Sequence, residues 1–362
     1  MNSELVKKIA DAVLYEGYML YPYRASAVKN RQRFNFGVLT PESYSLAERG
    51  TEKWQMQTEC LIAGNYDSRL SVKIRFLHLS EREIHRLDEE SGEFRSVASM
   101  EMDGKIFQTW QEAVEREAEI PEIKLGDLRK VPQELKFSFP AKEQIEELKD
   151  ENGRIAGRIV RATRKIEGRI DLEMIDGEDP ENGTATSGLR KIRVRLFNLT
   201  PFEEAENRTR DEALAHSLVS AHTVLFATGG QFVSLLEPPG KFRDAAGNCE
   251  NIGTFPVLIG ENGDERDCIL SSPIILYDYP EIAPESPGDL FDGAEIDEIL
   301  TLRIMTMTDE EKREMVGVDE RARQILERTE NMTAEQLMKM HGTLREPRAF
   351  EKKEDTSEAA GG

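Results

Sequence analysis

Residues 190–236 read RKIRVRLFNLTPFEEAENRTRDEALAHSLVSAHTVLFATGGQFVSLL, and the expected fold turns on them. Ile192, Val194 and Leu196 alternate with Arg193 and Arg195, the period of a strand with one dry and one wet face. Thr200-Pro-Phe-Glu203 then carries the signature of a helix start: a capping threonine, proline at the first helical position and glutamate at the third. That helix is expected to run on through Asp211–Ser220. The uncharged segment that follows, His216 to Leu236, is broken by Gly229-Gly230, which suggests a β-hairpin. It holds too many Ser, Thr, Gly, His and Gln residues to read as a membrane span.

The opening strand has a counterpart. Val72-Lys-Ile-Arg-Phe-Leu-His-Leu-Ser80 matches Ile192-Arg-Val-Arg-Leu-Phe-Asn-Leu-Thr200 at an offset of 120, with eight of the nine pairs sharing chemical class and His78 against Asn198 the loosest. Upstream, Arg33-Phe-Asn-Phe36 resembles Lys136-Phe-Ser-Phe139. Two amphipathic strands can match by chance, but an ordered pair of matches points to duplication. The expected fold class is therefore α+β: two duplicated β-rich units with flanking helices and a helical C-terminal segment. The expected divisions are residues 1–132, 133–284 and 285–343, with a disordered charged tail at 344–362.

Working outward, residues 3–16 form an amphipathic helical pattern with Leu5, Ile9, Ala12 and Val13 on one stripe. β-type alternation starts at Arg33 and recurs at Trp54–Thr58 and Val72–Phe76, which read as separate strands. Ala113 to Lys130, charged and interrupted by Pro121, reads as a connector between the units. Ile166 to Met174 alternates again, and the acidic run Asp176–Gly183 lacks calcium-loop spacing and reads as a solvated loop. Beyond Pro280 the period becomes helical, with Ile296, Ile299, Leu300, Ile304 and Met307 on one stripe. Thr308 with Glu311 and Thr333 with Gln336 are capping boxes for the short helices that follow.

The chain has 362 residues and a net charge of −21, which argues against nucleic acid as its main partner. Three cysteines fit a reducing compartment, and the charged N-terminus is unlike a signal peptide, so a cytoplasmic location is expected. Phosphate-binding glycine loops, nucleophile elbows and zinc-spaced Cys or His motifs are missing from the sequence, and no cofactor is expected.

Four groups of residues remain as candidates. Cys60, Cys249 and Cys268 with a histidine could hold a metal, although a free cysteine is more often a small buried hydrophobe. His216 and His222, with Glu212, could form a base and its orienting carboxylate, against the plainer reading of a surface helical pair. Arg24, Lys29, Arg31 and Arg33, interleaved with tyrosines, could contact an anion or a partner. The acidic run including Asp292, Glu295, Asp297 and Glu298 suits a helix start, and could also form a docking face for a partner protein.

Tyr21-Pro-Tyr-Arg…Asn30-Arg-Gln-Arg-Phe-Asn-Phe-Gly37 and Leu270-Ser-Ser-Pro-Ile-Ile-Leu-Tyr-Asp-Tyr-Pro…Pro287-Gly-Asp-Leu-Phe-Asp-Gly293, running on through Glu295 to Ile304, resemble an uncharacterised bacterial family encoded with nickel–iron hydrogenase accessory genes. The resemblance spans most of the chain and carries over no catalytic residue. It implies an assembly or accessory role. The leading expectation is a non-enzymatic accessory protein that binds a protein partner, the rival being a metal-dependent enzyme or metal carrier.

Overall fold

A computed structural model describes residues 3–16, 18, 33–175, 188–260, 263, 265–281, 301–318 and 320–333. The strand β1, Gln55–Leu87, threads the molecule for 33 residues. The two alternating runs at Trp54–Thr58 and Val72–Phe76 are parts of this one strand rather than two. Its centre is buried on both faces, at Leu70, Val72, Ile74, Phe76, Leu77 and Leu79, so it reads as nearly continuous apolar sequence there. Between Gly64 and Arg69 its pairing slips. Asn65 Oδ1 accepts from the amides of Asp67 and Ser68, and Ser68 Oγ donates to Gly229 O at 2.6 Å. Gly64 is needed here, because a Cβ would meet Ser68 Oγ at 2.7 Å.

Twelve further strands follow. They are β2 (Phe94–Val97), β3 (Ser99–Met102), β4 (Lys105–Gln108), β5 (Trp110–Lys124), β6 (Gln133–Phe139) and β7 (Lys142–Lys149). The rest are β8 (Ile155–Thr163), β9 (Ile166–Ile175), β10 (Leu189–Asn198), β11 (Val219–Val233), β12 (Phe255–Leu258) and β13 (Cys268–Ser272). β3 and β4 form a separate hairpin, and the other eleven make one antiparallel sheet.

That sheet returns upon itself. Leu61–Ala63 bond β10 on one side and β11 on the other. Further along, Ser80–Arg82 bond β5 and β8. β10 pairs with β9, and β9 follows β8 across Arg164-Lys165. Hydrogen bonds therefore lead from the start of β1 through β10 to β9, the chain itself carries β8 into β9, and β8 bonds the end of β1. The space it surrounds is filled by the main core, where Phe76 packs on Phe137 and Phe139 of β6 at ring separations near 6 Å.

The fold is α+β, but four local expectations are corrected. Ala113–Lys130 is no connector: β5 pairs with β1 from Arg82 to Arg69, and the helix α3, Leu125–Lys130, follows it. The charge that suggested a connector belongs to the wet face, where Glu117 and Glu119 meet Lys73, and Glu117 meets Arg75. Pro121 falls where the pairing with β1 slips by one residue.

Thr200 caps no helix; its hydroxyl exchanges hydrogen bonds with the Glu167 backbone and ties β10 to β9. The capping box lies at Thr209 and Glu212, and its helix, α4, spans only Arg210–Leu214 before β11 begins. Gly229-Gly230 makes no hairpin, since both flanks pair with β1 and β11 runs straight through. Arg33–Phe36 is irregular, with Phe34 at φ 59°, so its likeness to β6 does not extend to backbone form. Val72–Leu77 lies between β5 and β11, whereas residues 192–198 lie between β1 and β9.

The helices cover two places. The first, α1 (Ser3–Leu14), lays Val6, Ile9 and Val13 on Val224, Val257, Ile259 and Leu270, as its stripe requires. The short α2 (Glu42–Ala47) packs Tyr44 against Phe202, Ala205 and Ala213, and α5 (Arg243–Gly247) packs Ala246 against Leu61 and Val233. At the other end, residues 301–305 are helical and lead to α6 (Asp309–Val318) and α7 (Glu320–Glu330). Ile304, Met315, Ala322 and Leu326 bury Trp110. The capping box expected at Thr308 and Glu311 is formed, with both bonds present. Gln336 and the apolar positions 296–300 lie outside the described residues. Among the described residues no helix is long and apolar enough to cross a membrane.

Candidate functional site

Alternation along β1 puts His78, Ser80, Arg82 and Ile84 in phase with the core residues Val72, Ile74 and Phe76. Arg82 is thus a guanidinium in a core position, and burying it requires partners for its N–H groups. Its Nε and Nη2 donate to Gln108 O at 3.0 and 2.7 Å, and Nη2 also donates to Gly317 O at 2.7 Å. Its Nη1 donates to Glu112 Oε1 at 2.9 Å.

Glu112 carries the charge onward. Its Oε2 accepts from Arg161 Nε of β8 at 2.9 Å, and Arg161 Nη1 donates to Glu146 Oε2 of β7 at 2.7 Å. Burial opposes the charge on Arg161, but its bonds to Glu146 and Glu112 outweigh that and hold its pKa above the ordinary arginine value. The alternating row Arg82–Glu112–Arg161–Glu146 runs from a sealed end to a wet one. The side chains are 7%, 17%, 29% and 58% exposed in that order.

This row floors a cleft of about 1290 Å³. The β3–β4 hairpin from Met102 to Phe107 forms one wall, α6 and α7 another, β7 from Glu146 to Lys149 a third, and Tyr15 and Tyr18 close one end. Those two tyrosines stack edge to face at 5.4 Å. Ile106, Phe107, Leu148, Ile159, Val316 and Leu326 supply apolar lining. The charged lining is Arg82, Lys105, Lys149, Arg161, Lys312, Arg313 and Arg323 against Asp103, Glu112, Glu146, Glu147 and Glu330. Seven cations against five carboxylates leave the cleft positive, in a chain whose net charge is −21. Lys149 pairs with Glu147, and Lys312 with Glu330. Lys105 and Arg313 form no ion pair with a carboxylate among the described residues.

The residues singled out from sequence lie elsewhere. Arg33 is 5% exposed; it donates to Tyr18 O and Gln111 O and stacks on Trp110 at 3.7 Å. It therefore buttresses the cleft from behind rather than lining it. Arg24, Lys29 and Arg31, and the acidic residues Asp292, Glu295, Asp297 and Glu298, lie outside the described residues.

Cys60, Cys249 and Cys268 fall in three different apolar clusters. Burial raises all three thiols, Cys249 to about 11, away from the thiolate form that binds metals. No group of three His, Cys, Asp or Glu side chains able to hold a metal occurs among the described residues.

His216 packs on the Phe202 ring at 5.2 Å, and His222 is sealed under α1 with Nδ1 on Ser220 O at 3.0 Å. Glu212 spends its oxygens on the Thr209 amide and hydroxyl and on Arg208, which hold its carboxyl down at about 2, so it does not orient a histidine. A signal for this cleft was present in the sequence: an arginine, Arg82, stands where the alternation calls for an apolar residue.

The chain matches no protein-family model, and no curated protein is similar to it.

Proposed function

We propose that this is a non-enzymatic, cytoplasmic accessory protein that binds a partner protein in the cleft between the β3–β4 hairpin, α6–α7 and β7. The observation that carries this reading is the cleft itself: wide, open, part apolar, and positive within an acidic molecule. Apolar lining supplies contact area, and cations at its rim favour and orient an acidic partner. The resemblance to proteins encoded with hydrogenase accessory genes supports a metalloenzyme under assembly as that partner. The match of residues 72–80 to 192–200 supports a duplicated strand element as the origin of the long sheet.

Site-specific photocrosslinking tests it. A photoreactive amino acid placed at Asp103 or Glu147, in the native cell, is expected to trap the same protein at both positions. The same group at Leu46, exposed on α2 and outside the cleft lining, is expected to trap none of it. Equal trapping at all three positions, or none at the first two, removes the cleft as the docking site.

A further inference from the structure

The cleft is not walled by side chains alone. Side chains along a strand alternate between its two faces, so a surface that touches one face meets every second residue. Yet Glu146, Glu147, Leu148 and Lys149 are consecutive and all line the cleft. Strand β7 thus presents its edge to the cleft. Among the described residues β7 pairs with β8 alone, so the edge facing away from β8 has no strand upon it. Every second residue there offers an N–H and a C=O to whatever lies alongside.

We infer that the partner enters as an extended, acidic segment that adds a strand to the free edge of β7. This rests on the reading of the cleft as a docking site and specifies how it is used. Three observations carry it. β7 is exposed on both faces except at Leu148, so an added strand meets no side chain that must first be moved out of a core. The strand beneath is held rigidly, since β8 pairs with β7 on one side and with β1 on the other, and Arg161 ties it to both Glu112 and Glu146.

Finally, the facing walls bring Lys105 and Arg313, cations without an ion-pair partner among the described residues. They favour Asp or Glu on the incoming strand, whereas the glutamates of β7 disfavour such residues directly opposite them. Charged residues along β7 discourage indiscriminate edge pairing. The walls of the cleft then decide which strands are accepted, by the charge they require.

The test uses the full-length chain and a random nine-residue peptide library. Peptides selected on the protein are expected to alternate apolar and polar residues and to carry at least one Asp or Glu. Gln144→Pro and Ile145→Pro are then compared. Of two neighbouring positions on an edge strand, one N–H points to β8 and the other outward, so one proline keeps the ladder and deletes an outward donor. It is recognised as the variant with the smaller loss in Tm, and selected peptides should bind it at least tenfold more weakly.

Lys105→Glu combined with Arg313→Glu is expected to weaken binding as well. Peptides sensitive to charge reversal but indifferent to the proline would keep the cleft as a docking site and overturn strand addition. Peptides indifferent to both changes, selection of helical rather than alternating patterns, or no selection at all would also overturn it. The first and last of these outcomes count against the cleft too.

Discussion

Arg82 and His222 are buried on neighbouring strands, and they differ in the partners they find. Arg82 donates hydrogen bonds to a carboxylate and two carbonyls. His222 has a hydrogen bond only to Ser220 O, and its Nε2 has no partner among the described residues. Burial therefore pushes its imidazole down to about 4. His78, buried on β1, is likewise lowered to about 4 by burial and by Arg116.

The sign of the consequence follows from linkage. Between about pH 6.5, the unfolded value, and pH 4, the unfolded chain takes up protons that the folded chain refuses. The stability held by these two neutral histidines is complete above pH 6.5 and is lost as pH falls through that window, by roughly 3 kcal/mol each at most. Glu59 acts in a separate, more acidic range. Burial would raise its pKa, but the Glu250 amide, Arg193 and Lys191 outweigh burial and lower it. Urea unfolding at pH 7, 5.5 and 4.5 should show the loss, and His78→Gln with His222→Gln should flatten it. A parent protein equally stable at all three pH values would refute the assignment.

At the scale of elements, the sheet depends on a few places where only a small residue fits. Gly168 of β9 lies beneath the ring of Phe137, and a Cβ there would collide with that ring. The ring is itself wedged between Phe76 and Phe139, so it has little room to retreat. Gly168→Ala is expected to cost about 1–3 kcal/mol as an overpacked core position. Gly153, at φ 76° in the turn between β7 and β8, has open space around it. Gly153→Ala should cost about 1 kcal/mol, from backbone conformation alone. Chemical denaturation of the two variants separates them: a Gly168→Ala loss no larger than that of Gly153→Ala would mean that the phenylalanine cluster is loosely packed.

For the molecule as a whole, the helical pair is bound to the sheet by one apolar cluster around Trp110 and by the bond from Arg82 to Gly317 O. The cleft exists because these two attachments hold the helices off β7 while fixing them to β5. Arg82→Met keeps the apolar stem and removes every donor. It leaves Glu112 with Arg161 alone and should cost roughly 2–4 kcal/mol, since buried acceptors lose their donors. Amide exchange across residues 309–330 should rise more than tenfold while β9 and β10 keep their protection. Unchanged exchange in the helices would show that the Trp110 cluster and the packing of α6 on β4 hold them without this bond.

What the sequence determined by itself was local. The stripe of α1, the alternation of β1, β9 and β10, and the capping box at Thr308 and Glu311 were legible because each rests on residues a few positions apart. The α+β class followed from them. What only the tertiary structure decided was partnership. Gly229-Gly230 looked like a hairpin, and Ala113–Lys130 like a linker, because nothing local reveals that β1 is long enough to pair with both segments.

The candidate site was missed for the same reason. Arg82, Glu112, Arg161 and Glu146 come from four strands and meet only when β1 has β5 on one side and β8, with β7 beyond it, on the other. A charged residue in a core phase was visible in the sequence, but its compensating carboxylate is supplied by distant pairing. The free edge of β7 is likewise a property of strand order, set by which ladders form among all the strands at once.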